Sequence, residues 1–202
     1  MSPSLTEEFF EMSDTTKTRV ILGSGHRVDA PGRKVPRFPP EKETAVRDAM
    51  ARQLDAWGVG AGDLAICGGA NGADILLAEI CRDRGARILL LLAFPLERFI
   101  EESVELPGSG WTERFRALAR DPRCEVRIQE EHLGPLPENM NAFERTNDWL
   151  LQTGLEEAKP GKPSLLLVWN GESGDGPGGT AHFRDTAAQL GLPIAVIDPT
   201  TL

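Results

Sequence analysis

The segment Cys67-Gly68-Gly69-Ala70-Asn71-Gly72-Ala73-Asp74 decides the fold of this chain. An apolar run at 64–66 precedes it, and a helical pattern over 75–84 follows it. The order strand, glycine-rich turn and helix directs backbone N–H groups and the positive end of a helix dipole at one point. Because such a point favours phosphate or another anion, the segment predicts both an α/β fold and an anion-binding site.

Two other glycine-rich segments occupy similar positions in the pattern. Gly23-Ser24-Gly25 closes the first predicted strand, and Gly178-Gly179-Thr180 precedes the last predicted helix. In open α/β sheets, ligands bind outside the carboxyl ends of the strands, near the point where the strand order reverses. Three such turns at strand ends predict one pocket for a nucleotide or a phosphorylated sugar.

Strands alternate with helices along most of the chain. The predicted strands are 19–22, 63–67, 86–93, 124–128, 164–169 and 194–197, and the predicted helices are 41–57, 72–85, 95–104, 112–120, 138–155 and 180–190. Thr112 is expected to cap its helix, and 131–137 is expected to be a loop. This alternation predicts an α/β, Rossmann-like, doubly wound and mainly parallel sheet with helices on both faces. We expect residues 1–17 to be a flexible lead-in and 18–202 a single domain.

Composition restricts the classes of partner. The 202 residues carry a net charge of −9, which argues against a broad surface for DNA or RNA. No apolar stretch is long enough to cross a bilayer or to serve as a signal core, so we expect neither membrane insertion nor export. The cysteines Cys67, Cys81 and Cys124 lack the spacing of a metal site, and their odd number fits a reducing cytoplasm.

The candidate ligand-binding residues follow from the glycine turns and the nearby cations. The loop after the first strand holds Arg27, Arg33, Lys34 and Arg37, and is either a solvated surface loop or a cationic face for a bound anion. Asp74 is either a structural cap of its helix or a ligand contact, and Arg98 is either a phosphate clamp or an ordinary exposed side chain. The predicted ligand-binding set is Gly23, Ser24, Gly25, His26, Arg27, Gly68, Gly69, Asn71, Gly72, Asp74, Arg98, Gly178, Gly179 and Thr180.

Two carboxylates are candidates for catalysis. Glu79 interrupts an apolar helix face, so it needs a partner and is either a salt-bridged core residue or a catalytic group. Asp148 lies in the middle of a predicted helix beside Asn147, and both are candidates for contact with a ribose. The three histidines show no spacing typical of a metal site, and we expect no metal.

These motifs resemble those of the SLOG superfamily, which joins the Lonely Guy (LOG) proteins and the Smf/DNA-processing protein A group. The segment Cys67–Glu79 resembles the GGA-x-GAD-x-LA-x-E pattern of small stand-alone members, and Gly178–Ile197 resembles their closing unit. The resemblance implies a Rossmann-like fold that binds nucleotides or nucleotide-derived ligands, often as a dimer. In the LOG phosphoribohydrolases the signature is P-G-G-x-G-T-x-x-E, whereas here Thr180 follows Pro177-Gly178-Gly179 directly. This departure favours a ligand sensor.

Three hypotheses about function follow. The preferred one is a nucleotide-binding module that acts as a sensor and requires no further cofactor. A homodimer is one option for its oligomeric state. The alternative is a hydrolase of a nucleotide or nucleoside N-glycosidic bond, in which Glu79 or Asp148 activates water and Arg98 holds the phosphate. The third is a domain that binds a protein partner. If the turns hold phosphate, we expect Gly69→Val and Gly179→Val to abolish binding and leave the fold intact.

Overall fold

The computed structural model describes residues 18–172 and 179–202. The strands are β1 (Val20–Gly25), β2 (Leu64–Cys67), β3 (Arg87–Leu92), β4 (Cys124–Ile128), β5 (Ser164–Val168) and β6 (Ile194–Ile197). The α-helices are α1 (Glu43–Ala56), α2 (Ala73–Asp83), α3 (Leu96–Phe99), α4 (Trp111–Ala119), α5 (Gln129–Leu133), α6 (Ala142–Glu157) and α7 (Thr180–Gln189). A 3₁₀ turn, Pro40–Lys42, precedes α1, and a π-helical turn, Ile100–Val104, continues α3.

The six strands form one sheet in the order β4-β3-β2-β1-β5-β6, and every neighbouring pair is parallel. From β1 the chain moves outward through β2 and β3 to β4, then crosses back to place β5 on the other side of β1. The strand order therefore reverses between β1 and β5, which is where such sheets open a crevice for a ligand. The predicted α/β, Rossmann-like fold is confirmed.

Two apolar layers hold helices against the two faces of this sheet. Side chains alternate along each strand, so Ile21 packs with α1, α2 and α4 on one face, and Leu22 packs with α6 and α7 on the other. The central strands are almost wholly apolar because both of their faces are covered. In the part of the chain that the structure describes, no helix is long and apolar enough to cross a membrane.

Three of the differences from the predicted boundaries concern the site or the start of a helix. The strand β1 continues through Gly23–Gly25, which pair with Leu166–Val168 of β5, so this segment is strand rather than turn. Helix α4 begins after Gly110, whose backbone is in the left-handed conformation, and Thr112 does not cap the helix. Helix α6 begins after Asn141, whose side chain accepts hydrogen bonds from two backbone N–H groups of the first turn.

One helix was not predicted from the sequence. The segment Gln129–Leu133, which overlaps the start of the loop expected over 131–137, forms the short helix α5. It is stabilised by tertiary contacts, since the buried Gln129 amide donates to the Ala142 carbonyl at 2.8 Å and to Thr146 Oγ1 at 2.7 Å. Those contacts join residues 13 and 17 positions apart, which a local pattern does not register.

Candidate functional site

A cavity of about 390 Å³ opens at the carboxyl ends of β1, β2 and β3. We call it the strand-end cavity. Its wall comes from the strands and the loops that follow them, from the start of α2, from α3 and its π-helical continuation, from α6 and from the start of α7. Its lining residues are Gly23, Ser24, Gly25, His26, Arg27, Arg37, Gly68, Ala70, Asp74, Leu91, Ala93, Phe99, Ser103, Phe143, Thr146, Asn147, Leu150, Gly179 and Thr180.

Close contact between two chain segments shapes the strand wall of this cavity. The Ala73 N–H donates to the His26 carbonyl at 3.2 Å, which ties the start of α2 to the end of β1. At Gly72 the backbone φ is +86°, and a Cβ there would lie 2.7 Å from the same carbonyl oxygen. Only glycine fits this position. Gly72 therefore shapes the cavity from behind and does not line it.

The Asn71 side chain, also predicted to bind ligand, holds the loops together. It is almost fully buried, its Oδ1 accepts from the Val28 N–H at 3.0 Å, and its Nδ2 donates to the Val104 carbonyl at 3.1 Å. Both ends of the amide are thus occupied by backbone groups. The structure gives Asn71 a positioning role behind the cavity wall.

Asp74 lies in the first turn of α2, lines the cavity and is 9% exposed. Its Oδ2 accepts a hydrogen bond from the Ala70 N–H at 3.2 Å. Burial raises the pKa of Asp74 to about 7, although hydrogen bonds from the backbone of Ala70, Gly69 and Gly68 oppose the shift. The side chain is therefore a carboxyl group that is partly protonated near neutral pH.

Three basic side chains border the same cavity. His26 is buried, and its Nε2 lies 2.8 Å from Asn170 Oδ1. Burial lowers the pKa of His26. Arg27 donates from Nη1 to the Glu102 carbonyl at 2.8 Å. Arg37 reaches the cavity from the proline-rich loop that follows β1. The two arginines thus place positive charge at the cavity of a protein whose net charge is −9.

The last glycine segment is described only in part. Gly178 lies outside the described residues, whereas Gly179 and Thr180 both line the cavity. Thr180 is the first residue of α7, so its hydroxyl and the free N–H groups of that first turn lie at the same end of the helix. The structure thus brings residues from all three glycine segments to one cavity.

Four of the predicted residues lie elsewhere, in addition to Asn71 and Gly72. A Cβ on Gly69 would lie 3.2 Å from the Phe115 ring, so this glycine faces the apolar core and a valine there would disturb the core rather than a ligand. Arg98 lies over the Phe94 ring at 3.9 Å. The exposed Asp148 does not line the cavity. Glu79 faces α1 and α4 in ion pairs with Arg47 and Arg114.

Of the part of the wall that comes from α6, sequence reasoning anticipated Asn147 alone. Phe143, Thr146, Asn147 and Leu150 follow one another at helical spacing, so one face of α6 borders the cavity. The helical spacing of these residues can be read from the sequence, but it predicts only that they share one face of the helix. That this face covers the ends of β1 and β3 depends on the crossover between β4 and β5, which no local pattern reveals.

Comparisons with known proteins give a likeness of fold only. No protein-family model and no curated protein matches the chain. Similar solved structures include a structural-genomics target designated TM1055, with 17% identity and a TM-score of 0.42 over 88% of this chain and 72% of that one. DNA processing protein A (DprA) from Streptococcus pneumoniae has 12% identity and a TM-score of 0.42, over 88% of this chain and 58% of that one. The Moco carrier protein from Chlamydomonas reinhardtii has 11% identity and a TM-score of 0.36, over 91% of both chains.

With identities of 17% or less, the activities of the three proteins do not transfer to this chain. One fold hosts many unrelated functions, so function depends on the residues of the cavity.

Proposed function

We propose that this protein binds a nucleotide or nucleotide-derived ligand that carries a phosphorylated ribose, and that it acts as a sensor or regulatory module. The observation that supports this proposal is the convergence of the ends of β1 and β2 and the start of α7 on one cavity. Each of these segments carries a glycine-rich pattern that predicts an anion site.

The polar lining suits a phosphate. Arg27 and Arg37 supply positive charge, and the hydroxyl groups of Ser24 and Thr180 are donors beside glycine backbone that lets a ligand approach closely. The first turn of α7 adds N–H groups and the positive end of its dipole. Each of these features stabilises an anion, and together they surround one space.

The volume of the cavity suits a small ligand. Pockets for small molecules and cofactors span about 300 to 1,000 Å³, and 390 Å³ lies near the lower limit. A mononucleotide or a ribose phosphate matches this size better than a dinucleotide does. We therefore expect nucleoside monophosphates and ribose 5-phosphate to bind more tightly than NAD.

Hydrolysis of an N-glycosidic bond remains the second candidate, on one observation. Neither Glu79 nor Asp148 lines the cavity, but Asp74 does, as the one carboxyl group among the described lining residues. Its pKa of about 7 is the range in which a carboxyl group can deliver a proton to a leaving base. If the protein is an enzyme, Asp74 is the residue that we expect to act.

The test is isothermal titration calorimetry with mono-, di- and cyclic nucleotides, NAD, ADP-ribose and ribose 5-phosphate, followed by analysis of each mixture for free base. Binding without release of base supports the sensor, and release that is lost in Asp74→Asn supports the hydrolase. If no compound binds, the proposed function is wrong and a protein partner becomes the better hypothesis.

Two arginine variants locate the site. Arg37→Ala removes a cation that lines the cavity, so we expect the dissociation constant of a phosphorylated ligand to rise about tenfold, as for the loss of one charge-assisted hydrogen bond. Arg52→Ala is the matched control, because Arg52 is an exposed arginine of α1 outside the cavity, and it should bind as the unaltered protein does. An equal rise of the dissociation constant in the two variants would contradict a site at the strand-end cavity.

A further inference from the structure

The strand-end cavity has an apolar side that a phosphate does not require. Leu91, Phe99 and Leu150 line it and are otherwise buried in the protein, whereas Phe143 lines it and remains 41% exposed. A large aromatic ring that is open to solvent at the border of a cavity is a surface on which a flat ligand group can stack. Of these four side chains, Phe143 is the one available for stacking, because the other three are buried.

The structure holds the Phe143 ring in a defined place. Its backbone N–H donates to Asn141 Oδ1 at 2.8 Å, so the residue belongs to the capped first turn of α6. The ring meets Phe94 edge-on, with the centroids 5.5 Å apart and the planes at 86°. One face of an aromatic ring that is fixed in this way stays available at little cost in conformational entropy.

A continuous set of contacts joins this ring to the cationic part of the cavity. Arg98 lies over the Phe94 ring and donates from Nε to Glu102 Oε1 at 2.7 Å. The backbone carbonyl of the same Glu102 accepts from Arg27 Nη1 at 2.8 Å. Arg98, which the sequence suggested as a phosphate clamp, therefore acts as a positioning residue for the rim between Arg27 and Phe143.

We propose that Phe143 is the stacking surface for the base of a nucleoside monophosphate whose phosphate lies at the glycine segments. This inference rests on the proposed function and adds to it the class of ligand. One turn along α6 from Phe143, the polar side chains of Thr146 and Asn147 also line the cavity, within the same wall. Asn147 supplies an amide group of the kind that contacts a ribose or the edge of a base, whereas the Thr146 hydroxyl donates to the Ala142 carbonyl and accepts from Gln129.

The experiment compares the dissociation constants of the four common nucleoside 5′-monophosphates with that of ribose 5-phosphate, by calorimetry. Stacking of a base on an aromatic side chain contributes enough that we expect the best nucleoside monophosphate to bind about 5- to 100-fold more tightly than ribose 5-phosphate. Phe143→Ala should remove this preference and leave the affinity for ribose 5-phosphate unchanged. Phe143→Trp keeps an aromatic face and should keep the preference.

Met140→Ala is the matched control, because Met140 is 44% exposed, lies just before α6 and does not line the cavity. It should behave as the unaltered protein does. If the unaltered protein binds ribose 5-phosphate as tightly as every nucleoside monophosphate, the proposed function stands and this inference is wrong. A preference that survives in Phe143→Ala also overturns it. If neither class of compound binds, the proposed function itself fails and the inference fails with it.

Discussion

At the scale of the residue, Asp74 couples the fold to pH. Its pKa rises from 3.8 to about 7 on folding, because burial disfavours the carboxylate. The protonated form therefore stabilises the folded state at low pH, and this stabilisation is lost as the pH rises from about 4 to 7. We expect the free energy of unfolding of the unaltered protein to fall relative to that of Asp74→Asn over this interval, by a few kcal/mol.

The comparison between the two proteins isolates this one group. His26 has the opposite effect, since its lowered pKa costs stability as the pH falls below its ordinary value of 6.5, but it is present in both proteins and cancels. Asparagine has the same shape as aspartate and can still accept the hydrogen bond from the Ala70 N–H. Urea denaturation at pH 4, 5.5 and 7 measures the difference. A difference that does not vary with pH would mean that Asp74 keeps an ordinary pKa.

At the scale of the element, Glu79 joins three helices. From α2 its carboxylate accepts from Arg47 of α1 at 2.9 Å and from Arg114 of α4 through two nitrogens, at 2.9 and 2.7 Å. Arg114 also donates to Glu43 and lies over the Trp111 ring. Since Glu79 is only 7% exposed, Glu79→Gln leaves two arginines without a full counter-charge at a buried site.

We expect Glu79→Gln to lower the free energy of unfolding by roughly 1–3 kcal/mol, less than for a fully buried pair because both arginines are partly exposed. Ligand affinity of the folded protein should not change, because Glu79 does not line the cavity. Glu97→Gln is the control, since Glu97 forms a two-pronged ion pair with Arg116 at an exposed site and should leave stability unaltered. Chemical denaturation together with calorimetric titration separates the two effects. Loss of ligand binding in folded Glu79→Gln would mean that Glu79 does contribute to the ligand site.

At the scale of the whole molecule, the parts that the sequence predicted are those that local patterns determine. Alternating strands and helices predicted the parallel sheet, and the glycine segments predicted the strand ends that meet at the cavity. What the sequence did not predict depends on contacts between distant elements. Helix α5 forms because Gln129 bonds to α6. For Glu79 the sequence left a salt bridge and catalysis as alternatives, and only the structure shows the ion pairs with arginines 32 and 35 residues away. Phe143 joins the site through the crossover between β4 and β5. Periodicity identifies faces of elements, whereas packing decides what each face meets.

The position of the cavity makes ligand binding a property of the complete fold. Its lining comes from strands at the centre of the sheet, from α2 on one face and from α6 and α7 on the other, so unfolding of either layer destroys it. A ligand at 100 times its dissociation constant stabilises the folded state by about 2.7 kcal/mol. For a chain of this size we expect this to raise the melting temperature by roughly 5–10 °C. Differential scanning calorimetry and far-ultraviolet circular dichroism should report the same shift in one transition. A ligand that binds in solution but shifts only part of a two-step transition would place its site within one layer, away from the strand-end cavity.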